Sequence, residues 1–369
     1  MSAMASSPQD RRTRSRQDRR STRRARGRMM AVLVVGAGLA ALALAACGSD
    51  KSSTTAETGS GSSGGKTEKV TVVLDWTPNT NHSGLYLAQQ RNYYKDAGLE
   101  VEILQPDQNG ADQQLAAGNA TFAVSVSENI IPARAQGIPL VSIAAIIEHN
   151  TSSLVVPGDR QVTRPRDLAG KTYGGFGGPL ETSLVKELVR CDGGDPGTLR
   201  FVEVGNVDYR VGFDQHAFDV AWLFDGWDVI RLRDIDQLPV TVLHFADHTD
   251  CIPDWYTPVL ATTEQTIKDK PALVKAFMTA TTKGYQDAIR DPAAAADAIM
   301  KAAPESDRTL VTRSAAFLAT RYTASPDKWG RQDPKVWSGF EAWLRDHGIT
   351  TKAVDTTKAF TNDFLPSGK

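Results

Sequence analysis

Aromatic and hydrogen-bonding side chains recur together where short apolar runs give way to turns. Asp75 and Trp76 follow the run Val70–Leu74, with Asn79, Asn81 and His82 close behind. Glu128 stands just after the run Phe122–Val126, and Tyr173, Phe176, Trp222, Phe224, Asp225 and Trp227 gather at the ends of later runs. Ring faces let a flat molecule stack, and a few carboxylates, amides and imidazoles fix its edges. For each ring the alternative is ordinary core packing, and sequence alone leaves open which of them face a common cleft. The run Gly174-Gly175-Phe176-Gly177-Gly178-Pro179 joins an expected strand to an expected helix. Its N–H groups, that of Gly177 included, can point at a ligand acceptor or anion, or the run is a plain flexible connection.

Other chemistry is excluded by spacing. Gly170-Lys171-Thr172 resembles the end of a phosphate loop, but Pro165 stands where that motif needs glycine, and a strand rather than a helix is expected after it. Neither H-E-x-x-H nor G-x-S-x-G occurs in residues 69–369. His244, Asp247, His248, Asp250 and Cys251 are the one cluster with metal-ligand chemistry; they read as a solvated acidic loop, so no metal is expected.

The elements that must position these residues alternate. Strands are expected at Val70–Leu74, Leu99–Leu104, Phe122–Val126 and Pro139–Ile147, with helices at 83–96, 111–117 and 129–136 between them. The rhythm repeats with strands at 171–174, 199–204, 219–223 and 240–245 and a helix at 179–189. Strands alternating with helices argue for a parallel sheet. From Lys270 onward the texture is helical, at 271–289, 292–301, 307–322 and 335–346. The expected fold is α/β and two-lobed. One lobe is built from 69–154 and 254–369, the other from 155–253, and a ligand cleft lies between them. A single doubly wound domain is the alternative.

The chain has 369 residues, 41% hydrophobic and 23% charged, with a formal net charge of −1. This near-neutrality averages two unlike regions. Residues 1–46 hold ten arginines and two aspartates, so the remainder carries 32 basic against 41 acidic residues, a net −9. A body that acidic is a poor nucleic-acid binder. The basic segment 11–28 followed by the apolar Met29–Ala46 reads as a signal peptide. Leu44-Ala45-Ala46-Cys47 is similar to a bacterial lipobox, which makes Cys47 the lipidated N-terminus; a plain membrane anchor is the alternative. Residues 47–68 are rich in Ser, Thr and Gly and read as a flexible tether. Of the remaining cysteines, Cys191 and Cys251 either pair or stay as isolated thiols.

The stretch Leu74-Asp75-Trp76-Thr77-Pro78-Asn79-Thr80-Asn81-His82, followed by Gly84-Leu85-Tyr86-Leu87-Ala88, resembles the opening of the thiamine-pyrimidine branch of solute-binding proteins. That branch belongs with the sulfonate- and taurine-binding components of ABC importers, and a riboflavin-binding group shares much of the pattern. Tyr93–Leu99, Asp167–Gly174 and Asp192-Gly193-Gly194-Asp195-Pro196 extend the similarity over roughly residues 69–345. The resemblance implies a type II periplasmic-binding fold that closes on a small flat ring, with Ser125 and Tyr256 joining the candidate ligand contacts. It implies an ABC permease with its ATPase as partners, a monomer held to the outer membrane face by lipid, and no cofactor. Fungal-type thiamine pyrimidine synthase shares the fold and uses pyridoxal phosphate. Alignment to it puts Ser125 at the cofactor lysine and Asn129 at the donor histidine, and its cysteine-rich iron-binding motif has no counterpart, so a non-enzyme is expected.

Overall fold

In the computed structural model, which describes residues 67–367, the apolar runs become strands of two principal sheets. The expected leader, Cys47 and nearly all of the tether lie outside the described residues. β1 (Glu68–Val73) buries Val70, Val72 and Val73 and leads into the Asp75–His82 loop. The helix expected at 83–96 is two, α1 (Ser83–Gln90) and α2 (Tyr93–Asp96), because Asn92 takes φ +60° between them. β2 (Leu99–Leu104), α3 (Ala111–Ala116), β3 (Phe122–Ser125), α4 (Ser127–Ala135) and β4 (Leu140–Ala145) follow.

β5 (Ser152–Pro157) then begins a second sheet, and all six of its residues are buried. The chain continues through β6 (Thr172–Gly175), α5 (Pro179–Cys191), β7 (Arg200–Glu203), α6 (Tyr209–Asp214), β8 (Ala221–Phe224) and β9 (Val240–His244). Two π-helical turns, Asp225–Val229 and Arg231–Ile235, connect β8 to β9. β10 (Val259–Thr263) goes back to the first sheet. The tail is helical: α7 (Glu264–Asp269), α8 (Pro271–Arg290), α9 (Pro292–Ala302), α10 (Arg308–Ala319) and α11 (Pro334–Asp346). Proline occupies the first turn of α8, α9 and α11, where its missing N–H costs nothing, and Asp291, Asp307 and Asp333 cap α9, α10 and α11.

The first sheet has the order β2-β1-β3-β10-β4, parallel except for β10, which runs antiparallel to both neighbours. The second, β8-β5-β9, is antiparallel throughout, while β6 and β7 form a parallel pair beside it. The parallel expectation therefore fails at β5 and β10. Both are short, wholly or almost wholly buried runs without alternation, which periodicity does not distinguish from other core segments.

Two kinds of contact join the sheets. An aromatic wall runs from Trp222 on β8 through Phe245 and Trp255 to Phe340 on α11, with ring centroids 5.2, 5.3 and 5.1 Å apart in turn. On α10, Ser314 Oγ donates to the Gly226 carbonyl, and Arg313 forms an ion pair with Asp234 at 2.5 Å. Cys191, at the end of α5, is disulfide-bonded to Cys251, with Cα atoms 5.9 Å apart and a sequence separation of 60. A loop of that length raises stability by about 4 kcal/mol in the chain-entropy account.

Helix α1 meets α8 at glycines. A Cβ on Gly284 would lie 2.0 Å from the Gly84 carbonyl oxygen, and one on Gly84 would lie 2.2 Å from the Tyr285 ring. Gly284→Ala is expected to lower unfolding free energy by about 1–3 kcal/mol, read as a reduced urea midpoint. An unchanged midpoint would show that the helices separate freely.

Candidate functional site

The end of β1 delivers Asp75 and Trp76 to a tight loop that its own side chains organise. Asn79 Oδ1 accepts from the Asn81 N–H at 2.9 Å, and the Asn79 N–H donates to His82 Nδ1 at 3.2 Å. His82 Nε2 meets Asp75 Oδ1 at 2.7 Å. Because Nδ1 accepts, the ring proton sits on Nε2 and is donated to Asp75. His82 is fully buried, whereas the Asp75 side chain keeps 29% of its surface exposed.

This loop forms one wall of a cleft of about 500 Å³. Asp75, Trp76, Asn79 and Asn81 line it from the first sheet's side; Phe176, Trp222, Phe224 and Trp227 line it from the second. Trp76, Phe176 and Phe224 are strongly exposed for rings of their size. The structure thus brings together eight of the residues singled out from sequence. The other seven do not line the cleft. His82 lies behind Asp75. Ser125 is buried with its hydroxyl unpartnered. Glu128 also lies off the lining, with Oε2 enclosed and unpartnered. Tyr173 gives its hydroxyl to Glu181 at 3.1 Å. Asp225 is bonded by Ser153 at 2.6 Å and His244 at 2.8 Å, and Tyr256 OH accepts from the Asp333 N–H. Gly177, at φ +77°, sits in the loop whose neighbouring N–H groups are already engaged. Those of Phe176 and Gly178 donate to Glu181 Oε2 at 2.9 and 3.2 Å. A carboxylate of the chain itself occupies the place proposed for a ligand anion.

Sequence reasoning missed the segment Asn206–Arg210 and the residues Asp228, Arg231 and Asp236, all of which line the cleft. Asp228 Oδ2 accepts from the Phe224 N–H at 3.1 Å, and burial pushes its carboxyl up to about 6. Arg231 pairs with Asp208 at 3.0 Å and with Asp236 at 3.5 Å, and Arg210 pairs with Asp214 at 2.8 Å. Four lining carboxylates against two ion-paired guanidiniums leave the cleft an acceptor-rich site that disfavours anions. The turn-forming Asn206 and Asp208 were the available sequence signal, but they read as ordinary loop residues.

The expected acidic loop also resolves. Cys251 is tied up in the disulfide and His244 bonds Asp225. Among the described residues, the one group near metal-binding spacing is Cys191, Asp250 and Cys251, whose sulfurs are bonded to each other.

Residues 79–295 match the model of a family described as NMT1/THI5 like. The chain belongs to that family. NMT1/THI5-like relatives include the formylaminopyrimidine-binding protein of Halalkalibacterium halodurans, 26% identical over 90% of this chain and 99% of the relative. The riboflavin-binding protein RibY of Chloroflexus aurantiacus is 25% identical over 82% and 87%. A 4-amino-5-hydroxymethyl-2-methylpyrimidine phosphate synthase of Legionella pneumophila is 22% identical over 81% and 92%. The alkanesulfonate-binding protein SsuA of Xanthomonas axonopodis superposes with a TM-score of 0.61 at 14% identity, covering 79% of this chain and 98% of that one. The fold is therefore the two-lobed periplasmic-binding type.

Pyridoxal phosphate, implied by the synthases of the family, does not fit this site. Its phosphate would meet the Phe176 and Gly178 N–H groups of the glycine loop and two guanidiniums, all already engaged by carboxylates. At the aligned lysine position stands Ser125, whose hydroxyl cannot form an imine.

Glu128, packed behind the cleft, has its carboxyl pushed up to about 7 by burial. A raised folded-state value means the native protein holds a proton that the unfolded chain releases, so stability falls as pH rises from about 4.5 through 7. Glu128→Gln is expected to be more stable than the parent by about 1–3 kcal/mol at pH 8 and equal to it near pH 4. Parallel urea titrations at the two pH values check this, and a pH-independent difference would refute it.

Proposed function

We propose that this chain is the extracytoplasmic substrate-binding component of an ABC importer and captures a thiamine-related pyrimidine, hydroxymethylpyrimidine or a formylamino precursor. The observation that carries the reading is the cleft itself. Exposed aromatic faces approach from both sheets, and carboxylates outnumber cations around them. Flat rings stack on such faces, while amino substituents donate to carboxylates. The formylaminopyrimidine-binding relative, aligned over almost its full length, supports the same ligand class. Sulfonates suit the cleft less well, because no unpaired cation among the described residues lines it to meet an anion.

In this reading residues 69–154 and 254–369 form one lobe and 155–253 the other. Ligand contacts from both favour closure, and a permease with its ATPase recognises the closed form. The chain acts by binding, without turnover, as a monomer carried on the membrane by lipid at Cys47. Among the described residues no helix is long and apolar enough to cross a membrane. Cys47→Ser is expected to move the protein from the membrane fraction to the soluble fraction; retention in the membrane would favour an uncleaved anchor.

Riboflavin is the second reading, favoured by the cleft volume of about 500 Å³, which exceeds the needs of one six-membered ring, and by the RibY relative. A thermal-shift series on the full chain with hydroxymethylpyrimidine, formylaminopyrimidine, riboflavin and taurine separates them. A ligand at 100 times its Kd stabilises by about 2.7 kcal/mol. A response to the pyrimidines alone is expected, and Trp76→Ala should weaken it by about 1–3 kcal/mol through lost stacking. A response to riboflavin alone would overturn the pyrimidine assignment.

A further inference from the structure

We infer that Asp75 is the specificity carboxylate that reads the ligand's exocyclic amine, and that buried His82 is the positioning residue holding it correctly turned. This rests on the pyrimidine reading and deepens it. The geometry is directional. The Asn79 N–H occupies His82 Nδ1, so Nε2 can only donate, and it donates to Asp75 Oδ1 at 2.7 Å. A partner that only donates fixes Oδ1 as an acceptor and leaves Oδ2 for the ligand. Oδ2 has no hydrogen bond among the described residues, and the side chain lines the cleft. Asp112 on α3 feels the Asp75 charge, which adds to the burial that raises its own carboxyl, and Tyr285 on α8 feels it as well. No cation among the described residues neutralises Asp75, so a ligand N–H is the partner its free oxygen lacks. Asn81 lines the same wall, and its carboxamide is free to donate to a ring nitrogen beside that amine, the donor–acceptor pattern by which amides read base edges.

Asp228, another carboxylate lining the cleft, is the competing candidate. It accepts the Phe224 N–H on its own chain segment and has no donor comparable to His82.

The test is isothermal titration of the full chain with two probes. One is 4-amino-5-hydroxymethyl-2-methylpyrimidine; the other is its isostere with methyl in place of the amine. The parent protein is expected to prefer the amine by about tenfold or more, the scale of a hydrogen bond to a charged acceptor. Asp75→Asn should abolish the preference. His82 demands the amide oxygen, so the amide N–H₂ is turned toward the ligand amine, donor against donor. His82→Phe should lose most of the preference, while His82→Gln, which keeps a donor near Nε2, should retain it; thermal melts identify any variant that fails to fold. An unchanged preference in Asp75→Asn overturns the inference, as does a preference that survives there but collapses in Asp228→Asn. Equal binding of both probes by the parent overturns the inference alone. Binding of neither, together with no thermal response to formylaminopyrimidine, overturns the pyrimidine reading with it.

Discussion

The contact between Gly84 and Gly284 sets the position of everything at the first wall of the cleft. With no Cβ on either residue, α1 and α8 approach until backbone nearly touches backbone. That distance brings Tyr285 close enough for its hydroxyl to donate to the Asn81 carbonyl at 2.8 Å, while its ring stacks on Trp329 at 4.1 Å. Tyr322 donates to the Thr80 carbonyl from the same side. The Asp75–His82 loop is thus fixed from behind by two tyrosines of the C-terminal region and from within by the Asn79–His82 pair. A site held on both sides loses little entropy when a ligand arrives.

The second wall is built differently. Its residues come from a strand end, two π-helical turns and the short helix α6, elements with few repeating hydrogen bonds of their own. Ion pairs among Arg231, Asp208 and Asp236 take over the task of holding them. These pairs also consume the cleft's positive charge. Glu181 does the same for the glycine-loop N–H groups. Internal pairing converts what could have been an anion site into an acceptor-lined one.

The apolar runs at β1 and β2 and the proline-led helices of the tail were legible because alternation, flanking turns and caps agree there. β5 and β10 were not, since Ser152–Pro157 and Val259–Thr263 are almost wholly buried and carry no alternation to read. At the site, Asp75, Trp76 and the aromatics near β8 were recognisable from type and placement. His82, Tyr173 and Asp225 have equally suggestive types, yet each turns inward to satisfy a partner distant in the fold or across the loop. Which way a polar side chain turns depends on neighbours such as Glu181 and Ser153, which sequence spacing does not reveal. The π-helical turns after Phe224 left no periodic signature, so Asp228 and Arg231 passed as loop residues.

The two junctions between the sheets answer to different solvents. The wall from Trp222 to Phe340 is held by apolar burial, which weakens on cooling and strengthens with salting-out ions. The opposite junction rests on the Arg313–Asp234 pair and on a hydroxyl bonded to Gly226; both charged side chains are partly solvated and open to screening. Rising ionic strength therefore slackens one side while tightening the other. The balance between the two junctions is set by the medium as well as by the chain.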